Sequence, residues 1–149
     1  MSKRILVMGL PGAGKTTLAK VIIAKLQDMG KTVTWLNADV VRKQYDDWDF
    51  SLEGRIRQSK RMREMAENCP ENPDFVVCDF IAPLPELREN FAADITVWVD
   101  TINAGRYDDT NQMFVPPTTF DFRITEQNAE VWGEEIVKAI LKNDKIHIN

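Results

Sequence analysis

The chain has 149 residues, 44% of them hydrophobic, which suits one compact domain burying roughly 68–70% of its unfolded surface. Nineteen Lys and Arg against 23 Asp and Glu leave a net charge of −4, which argues against a nucleic-acid or membrane partner held by bulk charge. A single histidine, His147, and two cysteines without CxxC spacing, Cys69 and Cys78, argue against Ser-His-Asp chemistry and histidine-rich metal sites, so acid–base work falls to carboxylates or lysine.

In chain order, Ile5–Met8 is a short apolar run ended by Gly9, the pattern of a strand buried on both faces. It falls far short of the roughly 20 residues of a membrane span, and Gly9 and Pro11 cut off its likeness to a signal peptide. The cytoplasm is the expected compartment. From Lys15 to about Met29, apolar residues at Leu18, Val21, Ile22, Leu26 and Met29 follow a helical period, and Gly30 supplies the stop. Thr32–Leu36 reads as a second strand and Asp39–Tyr45 as a helix with Asp39 at its N-cap. Gly54–Asn68 is a charged helix, Phe75–Asp79 a third strand, and Pro85–Phe91 a short helix with proline in its first turn. Ile95–Val99 is a fourth strand, Phe120–Thr125 a fifth, and Ala129–Leu141 the closing amphipathic helix.

This alternation predicts a single α/β domain over 1–149, with a parallel sheet of about five strands and helices on both faces. In such sheets ligands sit beyond the carboxyl ends of the strands. The segment 102–119 holds Gly105, Pro116 and Pro117 with little periodicity, and is expected to act as a short lid. Cys78 is expected as a reduced thiol inside its strand. Trp35, Trp48, Trp98 and Trp132 are expected in the core rather than at a ligand.

Gly9-Leu10-Pro11-Gly12-Ala13-Gly14-Lys15-Thr16 matches GxxxxGK[ST] between a strand and a helix. Glycines let the backbone curl so that successive N–H groups face phosphate oxygens, and the following helix adds its positive end. Lys15 is then the catalytic cation on the β- and γ-phosphates of ATP, and the Thr16 hydroxyl a ligand to Mg²⁺. The base-reading NKxD of GTP switches is absent, which leaves a small-molecule kinase as the usual owner of such a loop.

Asp39 follows the second strand, on the same sheet edge as the loop, where a carboxylate can take an acceptor proton or stand near Mg²⁺. The plainer alternative is a helix cap. Arg42, one turn on, can hold an anionic group bidentately, or simply be solvated. Asp79 ends the third strand as a second Mg²⁺-side carboxylate or as the start of a turn. Arg55, Gln58 and Arg61 share about a third of a helix circumference, as an anion-gripping stripe or an ordinary charged face.

Taken together, these pieces resemble the adenylyl-sulfate kinase family. The matching segments are Gly9 through Thr17, Asp39-Val40-Val41-Arg42, Phe50-Ser51-Leu52-Glu53-Gly54-Arg55, the Gln58–Arg61 stretch, Ile81-Ala82-Pro83, Arg88 and Val97-Trp98-Val99-Asp100-Thr101, in family order. The resemblance implies a P-loop kinase fold and ATP- and Mg²⁺-dependent phosphorylation of the 3′-hydroxyl of adenylyl sulfate, with a homodimer as the candidate assembly. It implies that Asp39 stands beside the acceptor hydroxyl, and that Arg42, Phe50, Arg55, Gln58, Arg61, Ile81 and Ala82 bind the acceptor. Arg106 corresponds to an arginine near the ATP base, and Thr17 joins the nucleotide site.

The departures are specific. Asn37-Ala38 replaces an Asp-Gly, Gln58 an asparagine, and Asp79 is an added acid. The long lid with its aromatic is missing between Arg106 and Phe114, leaving Phe114 or Tyr107 as substitutes. Two other readings stay open on the residues: a 5′-polynucleotide or other metabolite kinase, and a nucleotide-binding module without catalysis.

Overall fold

The computed structural model describes residues 2–102 and 113–148, the last six as backbone only. Five strands, β1 (Lys3–Met8), β2 (Val33–Asn37), β3 (Phe75–Asp79), β4 (Ile95–Val99) and β5 (Phe122–Ile124), form one sheet in the order β2-β3-β1-β4-β5. Every neighbouring pair is parallel, so each connection must cross a face of the sheet. The described helices are α1 (Lys15–Asp28), α2 (Ala38–Tyr45), α3 (Leu52–Glu67), α4 (Pro85–Phe91) and α5 (Ala129–Ile148). Strand order reverses at β1, flanked by β3 and β4, and a crevice opens at its carboxyl end.

The period of two along the strands sorts the core into two layers. Ile5, Val7, Phe75, Val77, Val97 and Val99 pack with Leu18, Ile22 and Leu26 of α1 and Ile136, Val137 and Ile140 of α5. On the opposite face Leu6, Met8, Val76, Cys78 and Trp98 meet Val41 of α2, Met62 and Ala66 of α3 and Phe91 of α4. Each fully buried side chain of this size contributes roughly 1.5–3 kcal/mol, so both helix layers are held firmly to the sheet.

Three expectations are corrected. The N-cap of α2 is Asn37, not Asp39: Asn37 Oδ1 accepts from the Val40 N–H at 3.1 Å. Asp39 lies inside the first turn, where its charge favours the helix dipole. Trp98 is buried and Trp132 packs against the core, but Trp35 and Trp48 are exposed. Helix α3 begins at Leu52, two residues before Gly54, because Ser51 Oγ accepts from the Gly54 N–H and sets the start. Cys78 is buried and Cys69 half-buried, both as free thiols.

Candidate active site

The phosphate loop leaves β1 and is pinned from below. A Cβ on Gly9 would lie 2.4 Å from the Val99 carbonyl oxygen, so only glycine allows this approach. Thr101 Oγ1 donates to the Ala13 carbonyl at 2.7 Å, and Gln127 Nε2 reaches the same oxygen at 3.4 Å. The Leu10 and Ala13 side chains are buried beneath the loop. Above it, Pro11, Gly12, Gly14, Lys15, Thr16 and Thr17 line a cleft of about 770 Å³. Lys15 Nζ donates to the Leu10 carbonyl at 3.0 Å.

At the cleft floor β2 and β3 end in register, Asn37 opposite Asp79. The Asp79 carboxylate is buried and accepts three hydrogen bonds. Its Oδ2 takes Thr16 Oγ1 at 2.8 Å and Asn37 Nδ2 at 3.0 Å, and its Oδ1 takes Trp35 Nε1 at 2.8 Å. Burial pushes this carboxyl above the usual range, against the pull of those three donors and of the Lys15 charge. Asn37 thus caps α2 with one amide atom and holds Asp79 with the other.

The Thr16 hydroxyl spends its proton on Asp79 and keeps its lone pairs, as a cation ligand requires. Hard oxygens from one hydroxyl and one or two carboxylates fit Mg²⁺, which takes most of its ligands from phosphate and water. The donor set agrees with Thr16 and Asp79 as ligands. Among the described residues there is no cluster of three or more His, Cys, Asp or Glu able to hold a metal by itself.

The facing wall comes from α2, α3 and the loop 46–51. Asp39 is exposed and lines the cleft. Arg42 is buried beside it; its Nη1 donates to the carbonyls of Asp47 and Asp49 at 2.9 and 3.1 Å. Burial lowers the Arg42 pKa, and Asp47 opposes that shift. The Phe50 ring lies 4.3 Å from the Arg42 guanidinium and 5.5 Å from that of Arg55. Arg55 Nε donates to the Phe50 carbonyl at 2.8 Å, and Gln58 Nε2 donates to the Ala38 carbonyl at 3.0 Å, tying α3 to the start of α2.

The arginine stripe divides. Arg55 and Gln58 line the cleft, whereas Arg61 is outside its lining, with Nη2 on Asp47 at 2.9 Å and Nη1 on Gln58 Oε1 at 2.8 Å. Hydrogen bonds from Arg57 and Arg61 hold the Asp47 carboxyl far below the usual carboxylate range. Ile81, Ala82, Pro83 and Leu87 close the cleft opposite. Ala82 has a φ of 44°, and its carbonyl accepts from Arg88 Nε at 2.8 Å. Arg88 also donates to the Val115 carbonyl and lies 5.4 Å from the Phe114 ring; desolvation lowers its pKa to about 10. Arg106 and Tyr107 lie outside the described residues.

Reasoning from motifs missed Asn37 and Trp35, the partners of Asp79, and Trp48, which lines the cleft. The Asn-x-Asp spacing after β2 carried a signal for the first, since either residue is a good N-cap. Indole burial depends on a loop path that no motif encodes.

A family model for adenylylsulphate kinase matches residues 1–103, about two thirds of the chain. The chain belongs to the adenylylsulphate kinase family. The probable adenylyl-sulfate kinase of Archaeoglobus fulgidus is 35% identical over 101 residues, covering 67% of this chain and 65% of that one. The adenylyl-sulfate kinase of Halothermothrix orenii is 34% identical over 54% of this chain and 44% of its own length. This member of the adenylylsulphate kinase family therefore matches between about two fifths and two thirds of such relatives. In structure it resembles the Mycobacterium tuberculosis APS kinase in complex with AMPPNP and APS, with a TM-score of 0.75 at 20% identity over 93% of this chain and 97% of that one. It also resembles the Acinetobacter baumannii shikimate kinase, with a TM-score of 0.60 at 19% identity over 96% of this chain and 95% of that one. Both likenesses establish the fold, a P-loop kinase sheet.

Proposed function

We propose that this chain is an ATP-dependent kinase that phosphorylates the 3′-hydroxyl of adenylyl sulfate. The observation that carries the reading is one cleft lined by Lys15, Thr16 and Asp39 and walled by the buried cations Arg42 and Arg55. Family membership selects adenylyl sulfate among anionic acceptors. In the reaction the acceptor hydroxyl oxygen bonds to the γ-phosphorus, the bond from that phosphorus to the β–γ bridging oxygen breaks, and ADP leaves. Asp39 orients the hydroxyl and takes its proton. Lys15 and the loop amides meet the charge on the transferred oxygens. Thr16 and Asp79 would hold Mg²⁺, and Asp39, which lines the same cleft, would be a further carboxylate for it. When bound, the ion neutralises phosphate charge.

No described helix is long and apolar enough to cross a membrane, and the reading assigns the reaction to the cytoplasm. It also includes self-association as a homodimer; the Thiobacillus denitrificans APS kinase, with a TM-score of 0.73 at 24% identity, is described as hexameric.

The test is ADP release from ATP and Mg²⁺, with and without adenylyl sulfate. Stimulation by adenylyl sulfate supports the reading. Stimulation only by an oligonucleotide with a 5′-hydroxyl, falling steeply with salt, replaces the acceptor. ATP binding with no release under either condition makes the chain a binding module and overturns the catalytic assignment.

A further inference from the structure

We infer that Trp35 is a positioning residue for the metal side of the site, whose indole N–H holds the Asp79 carboxylate in the orientation in which it meets Mg²⁺. The inference rests on the proposed function, which gives Asp79 to the metal, and names the group that aims it. Asp79 is one of this chain's departures from the family pattern, so its supports belong to this chain.

An aspartate carboxyl turns about a bond with only a broad torsional preference, so its partners must set its orientation. At Asp79 those partners come from α1 and β2. Thr16 Oγ1 and Asn37 Nδ2 both donate to Oδ2, at 2.8 and 3.0 Å. Among the described contacts, the donor to Oδ1 is Trp35 Nε1, at 2.8 Å. The Asn37 amide is itself oriented, because its Oδ1 accepts from the Val40 N–H. An indole N–H can only donate, so Trp35 likewise bonds the carboxylate in one sense. A carboxylate offers about four acceptor positions. With two donors on Oδ2 and one on Oδ1, the capacity left for a metal or its water lies on Oδ1, the atom that Trp35 fixes.

The placement of the ring argues for the donor rather than for packing. Strand β2 is at the sheet edge, and Trp35 and Asn37 lie two apart on one of its faces. In register Asn37 stands opposite Asp79 and Trp35 opposite Val77, so the indole reaches Asp79 diagonally along the sheet. Trp35 is 37% exposed and belongs to neither core layer, and Lys20 Nζ stands 5.9 Å from its ring. Its N–H end nevertheless points inward, at a carboxylate that is 3% exposed. Here the ring serves as a rigid arm for one hydrogen-bond donor. A group that hydrogen-bonds a metal ligand fixes the direction of that ligand, and removing it typically lowers metal affinity about 10–100-fold.

The experiment is calorimetric titration of AMPPNP into wild type, Trp35→Phe, Asp79→Asn and the double variant, each in excess Mg²⁺ and again in EDTA. The ratio of the two affinities measures how strongly metal and nucleotide favour each other. Trp35→Phe should lower that ratio about tenfold or more by weakening binding in Mg²⁺. Its metal-free affinity should stay at the wild-type value, which also shows that the variant is folded. In the Asp79→Asn background the same substitution should change nothing further, because the two side chains act as one unit. A ratio unchanged in Trp35→Phe but lowered in Asp79→Asn overturns the inference alone. Equal loss with and without Mg²⁺ does the same, since it makes the indole merely structural, and so do additive losses in the double variant. A ratio unchanged in Asp79→Asn removes Asp79 from the metal side, overturns that part of the proposed function, and takes the inference with it.

Discussion

The two ends of the cleft are built by different means. The phosphate end is one continuous stretch, Gly9 through Thr17, shaped by backbone and pinned through the Ala13 carbonyl and the Gly9–Val99 approach. The proposed acceptor end is assembled from α2, the loop 46–51, α3 and the residues after β3, and is held by side chains: Arg42 and Arg55 on loop carbonyls, Gln58 on Ala38, Arg88 on Ala82. Backbone positioning is carried by a short motif and changes little when residues elsewhere change. Side-chain positioning depends on many distant choices, so the acceptor end can be respecified one residue at a time.

The sharpest way to break this division is at the phosphate end. Lys15→Ala removes the one side-chain cation of the loop, and phosphoryl transfer should fall by about 10²–10³ or more in kcat. Acceptor binding should persist in the same variant. Normal turnover would refute the assigned phosphate site. Asp39→Asn then probes the opposite wall at the reacting atoms. Loss of a general base predicts a fall of about 10²–10⁴ in kcat with nearly unchanged ATP affinity. Equal losses in turnover and ATP affinity would mean that Asp39 serves the nucleotide rather than the acceptor proton.

The contrast also explains which parts of the cleft are legible in the sequence. The phosphate loop was legible because its geometry is local: glycine spacing, a strand before it and a helix after it. Asp39 was legible as a cleft residue, since the end of β2 must share an edge with the loop. Its supposed cap role was not, because Asn37 and Asp39 are both good caps and the choice is made by pairing with Asp79 across two strands. Arg61 has helical spacing with Arg55 and Gln58, but it lies at the margin of their stripe. Asp47, fourteen positions earlier, captures it through a loop whose path the spacing does not encode. Trp48 departs from the usual rule that indoles go inside: it is exposed on a loop whose flanking carbonyls are held by buried Arg42.

The smallest effect belongs to Asp47, and it isolates the acceptor end by pH alone. Hydrogen bonds from Arg57 and Arg61 lower its carboxyl pKa in the folded protein relative to an unfolded carboxylate near ~4. The unfolded chain therefore takes up this proton first as pH falls. Stability from Asp47 is fully present above the unfolded value and is lost progressively as pH drops below it toward the lowered folded value. Asp47→Asn should accordingly be less stable than wild type at neutral pH, and the gap should close on acidification. Urea unfolding of both proteins at stepped pH measures it. ATP affinity at neutral pH should be untouched, because no phosphate-loop residue bonds to this carboxylate among the described contacts. A gap that widens toward low pH would mean that Asp47 is not held by its arginines, and that the loop beneath Trp48 is fixed by the Arg42 carbonyl bonds without them.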